Sequence, residues 1–147
     1  MKAALLAMHY QNDVLHPDGL VRVGVAADDP KRTMLIDAAT RLIAGARANG
    51  VAVISVRIAF APGYADCLTN CALFRNVARS GAVQEGQWGA DFFAALAPHG
   101  GEAIVTHQRD NPFWATDLEA VVQRTGATRC SVPDWDASSS ASSSTSA

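Results

Sequence analysis

Residues 3–9, AALLAMH, are apolar without a break up to a closing histidine. A strand with one face in water alternates apolar and polar side chains. An unbroken apolar run predicts a strand covered on both faces, as in a parallel sheet. The same run lies where a signal peptide would, but it is short. It leads directly into polar Gln11-Asn12-Asp13 with no small-residue cleavage site, so a buried first strand is the expectation.

Beyond this strand, residues 10–30 carry Pro17, Gly19, Gly24 and Pro30 and read as a loop. Asp29-Pro30 starts a helix: a side-chain cap, then proline in the first turn. Leu35, Ala39, Leu42 and Ala46 recur at helical spacing, and Asn49-Gly50 closes the helix. Residues 51–60, VAVISVRIAF, are rich in β-branched side chains and predict a second strand, ended by Pro62-Gly63. Residues 64–86 are ambiguous, with Leu68, Cys71, Ala72 and Phe74 as one face of a short helix.

Residues 90–97, ADFFAALA, predict another helix, stopped by Pro98 and Gly100-Gly101. Residues 102–106, EAIVT, read as a short third strand. Thr116-Asp117-Leu118-Glu119 forms a capping box before a helix that turns Leu118, Val121 and Val122 inward and ends at Gly126. A fourth strand is due near Ala127 but is not expected to develop, because the chain passes through Cys130 and Pro133 into a serine-rich end. Serine-rich low complexity buries too little apolar area to offset its ordering entropy, so disorder is expected from about residue 134. The alternation of elements predicts parallel βαβ units in an α/β fold of three layers, α/β/α. One partial domain over residues 1–133 is expected, with residues 134–147 as a tail.

The chain has 147 residues, 49% of them apolar and 18% charged, with a net charge of -2. No basic cluster is present, so no nucleic-acid partner is expected. No apolar run reaches the roughly 18 residues of a membrane span. The three cysteines, Cys67, Cys71 and Cys130, show no disulfide framework and predict reduced thiols in a cytoplasmic protein. Cys67 and Cys71, four apart, would share a helix face. Two buried thiols are the plain reading, and a metal pair or redox couple the sharper one.

Three stretches together carry a resemblance. ALLAMHYQNDVLHPDG (4–19) resembles the opening strand and loop of the isochorismatase-like cysteine hydrolases, the superfamily of nicotinamidases, isochorismatases and carbamoyl-amide hydrolases. VAVISVRIAF fits its second strand. EGQWGADFFAALAPHGGEAIVTHQRDNPFWATDLEAVVQRTGAT (85–128) resembles its central block, including Phe113 followed by Thr116-Asp117-Leu118. The likeness covers roughly residues 3–129. It implies a parallel-sheet fold and a site built from an aspartate, a lysine and a nucleophilic cysteine at the carboxyl ends of strands. His9 stands where the family has the aspartate, and His107 where it has the lysine. The family cysteine follows the fourth strand, where this chain has its serine-rich segment; Cys130 comes earlier. Arg57, Ile58, Ala59 and Phe60 occupy the stretch that binds metal in nicotinamidases, so neither metal nor cofactor is expected.

His9 and His107 both end predicted strands, where ligands bind in open parallel sheets. They are the candidate acid–base pair, against the plainer reading of packed histidines bordering a pocket. Asp13 is the third candidate catalytic residue, as a carboxylate orienting His9, or else a turn residue. Phe113 and Trp114 are candidate substrate walls or core residues, and Gln11 is a candidate substrate-binding residue. Arg109 and Asp110 are expected to form a surface ion pair, worth little. Trp88, between Gly86 and Gly89, is expected to anchor a turn.

The expected function is hydrolysis of a small amide, imide or vinyl ether, impaired in this chain by the missing nucleophile segment. A non-catalytic binding or regulatory relative and an inert fragment are the alternatives. The expected partner is a small-molecule substrate, with a homo-oligomer left open. The serine-rich end is expected not to be the evolved one, since a sheet cut at its fourth strand leaves edges unpaired. A shifted frame is one route: repeated TCG serine codons read one base over give valine or arginine.

Overall fold

The computed structural model describes residues 1–22 and 25–133; the expected disorder from residue 134 falls outside the described residues. Four strands, β1 (Ala3–Met8), β2 (Ala52–Ile58), β3 (Ala103–His107) and β4 (Arg129–Ser131), form one parallel sheet in the order β3-β2-β1-β4. The helices are α1 (Asn12–Leu15), α2 (Lys31–Ala48), α3 (Ala72–Ser80) and α4 (Leu118–Thr125).

The unbroken apolar character of β1 follows from its place inside the sheet. Leu5 and Ala7 face α2, in a cluster with Ala39, Ile43 and Val53. Ala4 and Leu6 face α4, in a cluster with Ile54, Val56, Val105, Leu118 and Val121. Three layers result, as the sequence predicts. A third cluster, Phe60, Phe74, Val77 and Val83, lies beneath α3.

The ends of α2 are set locally. Oδ1 of Asp29 accepts the Lys31 amide at 2.9 Å, and Pro30 has helical backbone angles. At the other end the Val51 amide returns to the Ala46 carbonyl at 2.9 Å, with Gly50 at φ 68, a left-handed stop. Arg47, in the last turn, grips Glu102 at 2.7 and 2.9 Å and ties the helix to the start of β3.

Several expectations are corrected. Residues 90–97 form no helix but two short 3-10 turns, Trp88–Ala90 and Ala94–Leu96. The backbone between them is claimed by the α1 region: Phe93 donates to Tyr10 O at 2.8 Å, and Asn12 donates to Asp91 O at 2.9 Å. The fourth strand does form, as three residues paired in parallel with Ala3–Leu5. At α4 only half of the capping box is present. Oγ1 of Thr116 accepts the Leu118 amide, while Glu119 turns forward to Gln123. Cys67 and Cys71 do not share a helix face, because α3 begins after Cys71, and all three cysteines are free thiols.

Candidate functional site

β1 and β3 flank β2, so residues at their carboxyl ends meet above it. His107 is the last residue of β3, and His9 follows β1 directly. Their Nε2 atoms are 2.7 Å apart. The ring centres are 5.0 Å apart and the planes differ by 23°. That separation is little more than the N–N contact plus the two ring half-widths, so the rings meet end to end rather than face to face. The lone pair of one nitrogen therefore points at the proton of the other, the geometry of a strong in-line hydrogen bond.

His9 has φ 58, and its amide donates to Val56 O at 2.8 Å. A histidine in left-handed backbone is uncommon. Tyr64 in the loop after β2, Val83 in the turn after α3 and Ala115 in the loop after β3 are also non-glycine residues at positive φ. Such strain gathers where a surrounding structure holds a site in place.

Both imidazoles are weak bases. Burial is the main cause that brings His9 from 6.5 down to about 4, and the charge His107 would carry is the second. His107 is also lowered, chiefly by burial, with the Arg109 carbonyl and Asp110 opposing. At neutral pH the pair is uncharged, and one N–H proton of the neutral pair bridges the two rings.

The other expected site residues divide. Gln11 is fully buried, and its amide is spent: Nε2 donates to Ile58 O and Ala90 O, each at 2.8 Å, while Oε1 accepts the Ile58 amide at 2.9 Å. No donor is left for a substrate, so Gln11 is a rivet between β2 and the turn at Trp88. The Asp13 carboxylate accepts backbone amides, Leu20 at 3.1 Å and Val83 at 2.7 Å, and is turned to these rather than to His9. Phe113 and Trp114 are 44% and 66% exposed, which removes the core reading and leaves them on the open loop after β3.

Arg109 donates to the carbonyls of Asp66 at 2.9 Å and Gln108 at 3.1 Å instead of pairing with Asp110. Its own carbonyl is 2.6 Å from Nδ1 of His107. The sequence carried no signal for that contact, since a main-chain oxygen has no letter. Trp88 does hold a turn: its carbonyl accepts Nδ2 of Asn12 at 2.9 Å, and its ring meets His16 edge-on. Among the described residues, no three His, Cys, Asp or Glu side chains cluster to hold a metal, and no helix is long and apolar enough to cross a membrane.

These features define a parallel α/β protein with a paired-imidazole site at the carboxyl edge of its sheet. The chain belongs to the isochorismatase family: residues 3–132 match the family model described as Isochorismatase domain. No curated protein matches the sequence.

Several solved structures share the fold. An isochorismatase family protein from Desulfovibrio vulgaris superposes with TM-score 0.74 at 24% identity, covering 90% of this chain and 67% of its own. A cysteine hydrolase from Pseudomonas syringae pv. phaseolicola gives TM-score 0.73 at 24% identity, covering 89% and 58%. An N-carbamoylsarcosine amidase from Thermoplasma acidophilum gives 0.68 at 18% identity, covering 90% and 66%. This chain thus spans between 58% and 67% of the length of these three proteins.

Proposed function

We propose that this isochorismatase-family chain performs acid–base chemistry with the His9–His107 pair on a small amide, imide or vinyl-ether substrate. The observation that carries this reading is the 2.7 Å in-line contact between the two Nε2 atoms. For an amide, water adds to the carbonyl carbon as its O–H bond breaks toward His9. The imidazolium that forms is stabilised by donating to His107. The same proton then passes to the nitrogen as the C–N bond opens, and the pair returns to its starting state. Low proton affinity serves this cycle, since the bases keep their lone pairs at neutral pH and the acid gives its proton up readily.

Phe113 and Trp114, exposed on the loop that follows His107, are the apolar surface offered to the substrate, while Gln11 and Asp13 hold the loop that carries His9. A thiolate is not part of this reading. Cys130 pairs with Ala4 near the start of β1, five residues and about 16 Å of strand from His9. Burial pushes the thiols of Cys67 and Cys130 up. A cytoplasmic location, a small-molecule partner without nucleic acid or membrane, and assembly with further copies of the chain complete the proposal.

One observation favours a second reading, a ligand-binding relative without catalysis: Cys130 pairs with Ala4, at the end of β1 remote from His9, so this thiol is not beside the pair. The variants His9→Gln and His107→Gln, assayed on a panel of amides, imides and vinyl ethers, separate the two. Acid–base catalysis predicts a loss of about 10²-fold or more in kcat for each. Turnover that is absent in the parent, with ligand binding retained in calorimetry, gives the case to the binding reading, and turnover unchanged in both variants removes the two histidines from the chemistry.

A further inference from the structure

The pair has a direction, and a residue outside it sets that direction. A carbonyl oxygen only accepts, so the 2.6 Å contact between Nδ1 of His107 and the Arg109 carbonyl places a proton on that Nδ1. Neutral His107 then presents a lone pair at Nε2. The facing Nε2 of His9, 2.7 Å away, must carry the bridging proton, which leaves the lone pair of His9 at Nδ1. That nitrogen has no hydrogen bond in the structure. Among the described residues, Nε of Arg32 is the buried side-chain nitrogen or oxygen without a partner, so Nδ1 of His9 reaches the surface.

The chain at 109 needs a hold. Asp110 and Asn111 beyond it are exposed, and nothing in a short loop obliges a carbonyl to face inward. The guanidinium provides the hold. By donating to the Asp66 and Gln108 carbonyls it straps the loop after β3 to the loop after β2. The amide of Gln108 reaches Ala59 O at 3.3 Å on the same side.

We propose that Arg109 is a positioning residue: its guanidinium holds its own carbonyl against His107, fixing the tautomers of both imidazoles and making Nδ1 of His9 the basic nitrogen offered to substrate. Without the strap the carbonyl turns outward and His107 is free to carry its proton on Nε2. The bridge between the two Nε2 atoms is then free to interchange between its two directions. This inference rests on the reading of the pair as the reactive centre, but its test does not use turnover.

Long-range nitrogen–proton NMR of the purified chain near pH 7.5 reads the tautomers directly. The expected spectrum has His107 protonated at Nδ1 and bare at Nε2, with His9 the reverse. A His107 found protonated at Nε2 overturns the proposal. In Arg109→Ala the split between the two His107 nitrogens is expected to collapse toward a common averaged shift. Arg109→Lys, which can still reach the Asp66 carbonyl, is expected to restore part of it. An unchanged split in Arg109→Ala overturns the proposal as well. Should that variant unfold, Arg109→Met, which keeps the side-chain stem but has no donor for the Asp66 carbonyl, takes its place: a collapsed split supports the strap, and a parent-like split overturns it. Correct tautomers in a protein without turnover would remove the catalytic reading and leave this one standing.

Discussion

A Cβ placed on Gly89 would stand 2.1 Å from Oδ2 of Asp13. The carboxylate cannot swing away freely, because its two oxygens accept the amides of Leu20 and Val83. Val83 has φ 45, costly for a β-branched residue, and the Asp13 contact helps to hold it there. Gly89→Ala is therefore expected to cost about 1–3 kcal/mol through overpacking. Asp13→Ala leaves two amides without an acceptor, at about 1–3 kcal/mol for each that stays dry. The two changes share one contact, since removing the carboxylate makes room for the new methyl group. The double variant should lose less than the sum of the singles. Urea unfolding of all four proteins measures this, and strict additivity would show that the close approach is not what constrains Gly89.

The imidazole pair makes stability depend on pH in a defined window. In the unfolded chain His9 titrates at 6.5, and in the fold at about 4; His107 is shifted in the same direction. Between those values the unfolded chain binds more protons than the folded one, so stability is full above about 6.5 and falls as the pH drops toward 4. For His9 alone the loss reaches roughly 3 kcal/mol, at about 1.4 kcal/mol per tenfold change in proton affinity. Chemical denaturation of the parent and of His9→Gln at pH 7.5 and 4.5 checks this. The variant should be distinctly flatter over the window, and parallel curves would sink the assignment.

Much of this architecture can be read from the sequence, where local chemistry and tertiary need agree. AALLAMH is apolar because β1 is covered on both faces, and Asp29 before Pro30 caps α2 as its type suggests. The meeting of His9 and His107 follows from their places at the ends of two parallel strands. Residues 90–97 mislead because their partners lie far away in sequence: the bridge between Gln11 and Phe92 has no local signature. Gln11 and Asp13 mislead for a related reason. Polar residues in a loop read as surface or site, and only their distant backbone partners show them to be clamps. β4, at three residues, lies below the length at which a strand can be recognised by pattern.

Arg32 is 6% exposed, and among the described residues no carboxylate pairs with it; it donates instead to the carbonyls of Leu15, Val25 and Ala26. A guanidinium in such a place satisfies backbone oxygens of the loop before α2 that no helix or strand reaches. Arg32→Ala strips several acceptors at once, and hydrogen bonds to a charged group are worth about 1.5–3 kcal/mol each. A loss of at least about 2 kcal/mol is expected, together with faster proteolysis within residues 16–29. Arg32→Lys should recover a minority of it, because an ammonium cannot spread its donors as a planar fork does. A stable, protease-resistant Arg32→Ala protein would mean that water serves those carbonyls equally well.

Gln11 gives the clearest separation between holding a site together and touching a substrate. Its side chain is fully buried and accounts for two carbonyls and one amide. Gln11→Ala should therefore destabilise the fold by about 2–4 kcal/mol, as those backbone groups lose their partners. Gln11→Glu should be at least as harmful at neutral pH, since a carboxylate would face the Ile58 and Ala90 carbonyls with no proton to offer. It should recover in part under mild acid, once the carboxyl carries a proton that can be donated. A substrate contact predicts the opposite pattern: stability close to the parent and a rise in KM alone. Thermal denaturation alongside ligand titration distinguishes the two, and an undiminished Tm in Gln11→Ala would return the residue to the substrate side of the site.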